Sequence, residues 1–335
     1  TLKNTVMKKI LLAVTAALAI TGCSQNEEFE NAGQKAEINF GSIVGNSTRA
    51  AIMTTDGFET FTVNGYKTSD KMGDAVSLAS FMPNEVVTKT DGAWKHANVF
   101  YWPSNYVQFF ATSPQQTLSL PSKGYPTFDY TVGGIADQKD LLVANQIDKQ
   151  KSENAVELKF QHALTQVNFS IKGDTKGFDY KVTNLTISGV DGTGTFKFDG
   201  TATVGAWAQD GKAAGTYTAT YAEGSEITLI NVTDLAATTK FDANPTASLF
   251  MLLPQTLKAG AKVAITYTAA PTGKTDVTDL TFTGTKEVAL TGAWIAGQKV
   301  RYTLTLSSDA KEITITPTVS EWGTSESDTP LTPSN

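Results

Sequence analysis

Gln166-Val167-Asn168-Phe169-Ser170-Ile171-Lys172 and Lys299-Val300-Arg301-Tyr302-Thr303-Leu304-Thr305-Leu306 carry an apolar side chain at every second position. Successive side chains of a strand point to opposite faces, so such alternation predicts one face buried and one wet. Glu312-Ile313-Thr314-Ile315-Thr316-Pro317-Thr318-Val319 repeats the pattern. Around these runs the chain is rich in Thr, Val, Gly and aromatic residues. Asp91-Gly92, Asp191-Gly192, Asp199-Gly200 and Asp210-Gly211 punctuate it with dipeptides suited to tight turns. No long stretch past residue 30 holds a helical period. The pattern predicts an all-β chain of many short strands, arranged as two sandwiches in series.

Composition supports this reading and excludes others. A chain of 335 residues suggests two domains, at roughly 150 residues each. Hydrophobic residues make up 40%, enough for packed cores, whereas charged residues are sparse at 18%. The net charge of −6 and the absence of any basic run leave no electrostatic footprint for nucleic acid. The single cysteine, Cys23, cannot form an internal disulfide, so stability must come from cores and sheets.

The N-terminal region has a separate logic. Met7-Lys8-Lys9 is basic, residues 10–20 carry no charge, and Thr21-Gly22-Cys23 supplies small residues at a cleavage site. This layout predicts a secretory signal peptide over residues 7–22. The apolar stretch is too short to cross a bilayer, which needs about 20 residues. Residues 1–6 read as lying upstream of the true start. Cys23 at the first mature position resembles a bacterial lipobox, whose thiol receives a diacylglyceryl group. A buried thiol is the competing reading, but the following Ser-Gln-Asn-Glu-Glu-Phe-Glu cannot be core; a zinc site would need several further ligands. Residues 23–35 form a polar, acidic, flexible tether. Its acidic cluster resembles a surface-export signal of outer-membrane lipoproteins, or is simply a solvated linker. Residues 324–335 read as a frayed tail.

Chemistry is hard to find. His96 and His162 are the two histidines, and no nucleophile elbow, zinc-binding, phosphate-loop or dinucleotide motif occurs. His162, in Leu158-Lys159-Phe160-Gln161-His162-Ala163-Leu164, reads as a hydrogen-bonded core residue, and His96, after Trp94-Lys95 in a turn-rich stretch, as a surface one. Acids such as Asp137, Asp140, Asp191 and Asp199 sit where solvated turn residues belong. Trp94, Tyr101, Trp102 and Tyr106 form a local aromatic group that could stack on sugar, but filling the core and its mouth is the simpler expectation. No catalytic residue, metal site or cofactor is expected.

Six blocks carry a resemblance. Phe100-Tyr101-Trp102-Pro103 precedes Val107-Gln108-Phe109-Phe110-Ala111-Thr112-Ser113-Pro114. Gln138-Lys139-Asp140-Leu141-Leu142-Val143-Ala144 and Leu158 through Val167 follow. Met251-Leu252-Leu253-Pro254-Gln255 and Trp294-Ile295-Ala296-Gly297-Gln298-Lys299-Val300-Arg301-Tyr302 come next, and Val319-Ser320-Glu321-Trp322 closes the series. In this order, behind a lipobox, they resemble the fimbrillins, or Mfa-like pilins, of the Bacteroidetes.

That resemblance implies two transthyretin-like β-sandwich domains, placed at 36–160 and 161–323. It implies an outer-membrane lipoprotein precursor, held by lipid on Cys23, that becomes part of a surface fimbrium. An arginine-specific protease would cut between Arg49 and Ala50 and release the first strand. Ala36-Glu37-Ile38-Asn39-Phe40 puts Ala36, Ile38 and Phe40 on one face, and Ile43 and Val44 would continue it beyond a bulge at Gly41. Ile38, Phe40 and Val44 are thus the removable-strand anchors. The vacated groove would receive a strand from another pilin subunit, either a second copy or a cognate tip or anchor pilin. Ile313, Ile315 and Val319 have the even spacing of a donor, and Pro317 suits a sheet edge. Arg49 and Arg301 are the chain's two arginines, and Arg301 lies within an alternating strand that would deny it to a protease. The alternative is a permanently anchored surface lipoprotein that binds glycans or host ligands.

Overall fold

Strand follows strand through the described residues, which are 36–44, 58–201, 204–209, 214–241, 250–274, 276–309 and 311–321 of the computed structural model. The signal peptide, Cys23, the tether, Arg49, Ala50 and the tail lie outside them. Helical structure among the described residues is confined to short 3-10 turns such as Ile135–Asp137 and Val277–Asp279. The chain is all-β, as the alternation predicts.

The first eight strands are β1 (Phe40–Val44), β2 (Thr60–Thr68), β3 (Ala79–Thr90), β4 (Ala93–His96), β5 (Tyr106–Ser113), β6 (Thr127–Thr131), β7 (Leu142–Lys149) and β8 (Val156–His162). Next come β9 (Thr165–Gly173), β10 (Phe178–Asp191), β11 (Thr193–Phe198), β12 (Gly205–Ala208), β13 (Ala214–Thr220), β14 (Ile227–Leu229) and β15 (Thr239–Lys240). The last are β16 (Phe250–Leu252), β17 (Gln255–Thr256), β18 (Lys262–Pro271), β19 (Phe282–Ala289), β20 (Ala293–Trp294), β21 (Gln298–Leu306) and β22 (Thr314–Glu321).

Seven strands form one sheet in the order β1-β8-β7-β5-β2-β3-β4. Phe61 of β2 and Phe160 of β8 have ring centroids 5.1 Å apart although two strands separate them in the ladder. Contacts between such non-neighbours require the sheet to curl, and its concave face is filled by Phe58, Phe61, Val63, Phe109, Leu158 and Phe160. The opposite face presents Phe110, which packs edge-on against Phe198 of β11 at 5.1 Å.

The second half builds a sandwich. One sheet runs β13-β10-β18-β19 and the other β15-β9-β21-β22, with β9 and β21 parallel. Phe169 sits between them, stacked on Tyr302 at 5.7 Å and edge-on to Phe250 at 5.9 Å. Alternation does not mean a wet face here. Gln166, Asn168 and Ser170 on the polar side of β9 are buried as well. β9 is an interior strand, and the guanidinium of Arg301 lies on it, donating to the Phe169 carbonyl at 2.9 Å and to Ser170 Oγ at 3.2 Å.

The turn dipeptides have two fates. Asp91 and Gly92 both take positive φ, 55° and 79°, in the hairpin between β3 and β4. Asp191-Gly192 instead marks a corner, because β10 and β11 lie in different sheets. β11 pairs with β6 across residues 127–131 and 193–197, so this three-stranded sheet draws on both sides of residue 160. The described residues from Ala36 onward belong to one compact unit.

Asp174 pins one end of the sandwich. Tyr180 Oη donates to its carboxylate at 2.8 Å, Thr175 Oγ1 at 2.8 Å, the Ser308 amide at 2.9 Å and Ser307 Oγ at 3.1 Å. Burial pushes the carboxyl up, but the hydrogen bonds from Tyr180, Thr175, Ser308 and Ser307 outweigh it and hold it below its ordinary value of 3.8. A depressed carboxylate contributes stability that is present above that ordinary value and lost as pH falls through the folded one. Acid unfolding curves of Asp174→Asn should therefore be flatter below about pH 4 than those of the parent chain. Phe169→Ala should cost about 3–5 kcal/mol in denaturant unfolding, whereas Thr283→Ala on the exposed side of β19 should stay within about 0.5 kcal/mol.

Candidate functional site

Ala36, Ile38 and Phe40 point inward from a short segment that is tied to both margins of the curled sheet. Its first half binds the stretch after β4: the Ile38 amide donates to the Phe100 carbonyl at 2.8 Å, and the Trp102 amide to the Ala36 carbonyl at 3.0 Å. Its second half, β1, pairs in parallel with β8, from Phe40 opposite Val156 to Val44 opposite Phe160. The Val156 amide adds a bond to the Asn39 carbonyl at 2.7 Å. β1 is an edge strand held by one ladder, so its attachment rests heavily on side-chain anchors.

Two anchors dominate. Ile38 is fully buried, and the Phe40 ring stands edge-on to Phe109 at 5.5 Å, His96 at 5.7 Å and Phe61 at 6.3 Å. Burial of the two contributes about 3–6 kcal/mol as an upper estimate. Against them stands Ser42, two residues after Phe40 in the strand. Its hydroxyl is shut off from solvent with no hydrogen-bond partner, a condition that costs about 1–3 kcal/mol. The register runs without a break through Gly41, so the expected bulge is absent. A side chain at Gly41 would overlap the Glu157 carboxylate, and the glycine leaves that space free.

His96 corrects the sequence reading. It is not a surface residue: its side chain is 4% exposed and lies under the segment. Nε2 is 3.0 Å from the Ile38 carbonyl and Nδ1 is 2.6 Å from the Asn98 carbonyl. The Glu85 carboxylate, equally buried, lies 3.8 Å from Nδ1 and accepts two bonds from Asn98, at 3.1 Å and 2.8 Å. The signal was present in the spacing, because in a strand His96 shares a face with Trp94, two residues before.

The other sequence candidates separate. Ile313 is buried, while Ile315 and Val319 are half-buried against the sandwich core. They lie on or beside β22, an edge strand antiparallel to β21 in a different sheet from β1. Pro317, opposite Tyr302, occupies the edge position that a residue without an N–H tolerates. Arg301 is buried. Ile38 and Phe40 are buried, and Val44 lies in β1.

His162 is a core residue whose Nδ1 donates to Asp140 at 2.7 Å, both side chains being buried. The pair ties β8 to the chain before β7. It stands at the wall of a cleft of about 840 Å3 lined in part by Trp207, Gln255 and Trp294. The indole nitrogens there are engaged, Trp207 with the Ala163 carbonyl and Trp294 with the Tyr302 hydroxyl. Of the early aromatic group, Trp102 is buried and Trp94 packs on the core, but Tyr101 is 46% exposed. Among the described residues no three His, Cys, Asp or Glu side chains come together as metal ligands.

Removing the Ser42 hydroxyl should strengthen the seat and removing the Phe40 ring should weaken it. Ser42→Ala is expected to raise stability by about 1 kcal/mol, and Phe40→Ala to lower it by about 3–5 kcal/mol. Denaturant midpoints of the two variants measure both.

Residues 48–322 match the fimbrillin-like family. The chain is similar to fimbrium subunit Fim1C of Phocaeicola vulgatus, at 30% identity, covering 96% of this chain and 98% of that one. The fold is similar to that of a fimbrial protein from Bacteroides vulgatus, with a TM-score of 0.65 and 23% identity over 86% of this chain and 99% of the other. A match of this extent, on an all-β chain, makes the chain a member of the fimbrillin-like family.

Proposed function

We propose that this chain is a structural subunit of a surface fimbrium that assembles with other pilin subunits by exchange of strands. The observation that supports this most is the seat of residues 36–44. They form an edge element with deep apolar anchors and one ladder to β8, joined to β2 through the segment that contains Arg49. An unpaired sheet edge lined with apolar pockets is a template for another chain. Cleavage between Arg49 and Ala50 would free the segment and expose that template.

The precursor is a lipoprotein held at the outer membrane through Cys23. An arginine-specific protease finds Arg301 buried on an interior strand, which leaves Arg49 as the usable bond. The strand of Ile313, Ile315 and Val319 is the donor. It lies at a sheet edge, bound on one side to β21, and its alternate apolar residues repeat the spacing of Ile38 and Phe40. The subunit's role is mechanical and adhesive, without catalysis.

Surface-sheared material from cells producing the parent chain should give ladders on gels and an N-terminus at Ala50. Arg49→Ala should retain the earlier residues and give no ladder. Ladders from Arg49→Ala matching those of the parent would reject the scheme. Deleting residues 312–335 separates the donor from the cut: monomer should still be secreted and processed, but polymer should be lost.

A further inference from the structure

We propose that His96 is a proton-dependent latch on the N-terminal strand, holding residues 36–44 in their seat when its imidazole is doubly protonated. Both ring nitrogens face carbonyl oxygens, Ile38 at 3.0 Å and Asn98 at 2.6 Å. A carbonyl oxygen only accepts. Both contacts therefore need a proton on nitrogen, and only the imidazolium carries two. A neutral ring turns one lone pair against a carbonyl, and with the His96 side chain 4% exposed such a mismatch is costly.

The surroundings complete the argument. Glu85 on β3 is the charged group that faces the ring, with its carboxylate 6% exposed. Asn98 closes a circuit, giving its carbonyl to His96 and its amide groups to Glu85. The other faces of the ring meet Phe40 of the segment and Phe100 beyond β4, which are neutral. Lys95 along β4 and Glu37 along the segment are exposed. Glu85 thus compensates the imidazolium charge, and the imidazolium spends one of its two protons on the backbone of the removable strand. Any strand that takes the vacated seat meets the same donor.

As a property of the seat the latch stands alone; as a control on assembly it rests on the proposed function. The uncut full-length chain tests the first. Amide exchange at Ile38, Trp102 and Val156, expressed as protection over the unstructured rate, reports on the seat, because these N–H groups bond across its two seams. Protection in the parent chain should fall about tenfold between about pH 5.5 and pH 8. His96→Gln keeps a donor for Ile38 but cannot gain charge, so its profile should be flat. A flat profile in the parent, or an unchanged slope in His96→Gln, overturns the latch. Should His96→Gln lose its fold by circular dichroism, Glu85→Gln decides: its fall in protection should move to lower pH, and an unmoved profile overturns the proposal. Release of the segment after cleavage at Arg49 tests the second part. Retention of the cut segment at every pH, alongside a sloped exchange profile, would reject the removable strand and leave the latch standing.

Discussion

Ile38 and Phe40 lie in the core of a curled sheet, and the segment that carries them ties β8 to the stretch that follows β4. A curled sheet whose margins do not pair with each other leaves backbone donors and acceptors open at both edges. The segment meets that constraint from both sides, through Phe100 and Trp102 at one margin and β8 at the other. The aromatic core beneath depends on this cover, because Phe61, Phe109 and His96 all have a face against Phe40.

The attachment is strong in some terms and weak in others. Two apolar anchors and several backbone bonds hold it, whereas the Ser42 hydroxyl is buried without a partner and β1 has a neighbour on one side alone. The second half of the chain also buries polar atoms without a partner, Gln166 Oε1 and Asn184 Oδ1, but in strands that pair on both sides. Its sandwich is interleaved by parallel pairing of β9 with β21 and capped by the Asp174 cluster. Local stability differs across a fold wherever burial and hydrogen bonding differ. The difference here runs between an edge that one ladder holds and a core that two sheets enclose.

Much of this was legible in the residues. The runs at 166–172 and 299–306 are strands, that at 312–319 is one from Thr314 onward, and Asp91-Gly92 makes a hairpin. Ala36, Ile38 and Phe40 share a buried face as their alternation says, and His162 is a hydrogen-bonded core residue. Partnership was not legible. That β6 pairs with β11, or that Asp191-Gly192 turns a corner between sheets, depends on contacts far apart in sequence. The polar side of β9 reads as a wet face, yet Arg301 from a strand about 130 residues later covers it. The spacing of His96 with Trp94 hints at burial, but its partners Ile38 and Glu85 are remote in the chain and only the fold brings them to it.

By itself the sequence determined the class of structure and the kinship of the chain. Strand periodicity is a local property, written in every second residue, and the six ordered blocks need no coordinates to be matched. Tertiary structure alone decided which strand lies at an edge, which arginine is shielded and which histidine lies beneath the first strand. Those are properties of distance and burial between residues remote in the chain. An interaction such as that of His96 with the Ile38 carbonyl exists only once the sheet has curled far enough to bring β4 under residues 36–39.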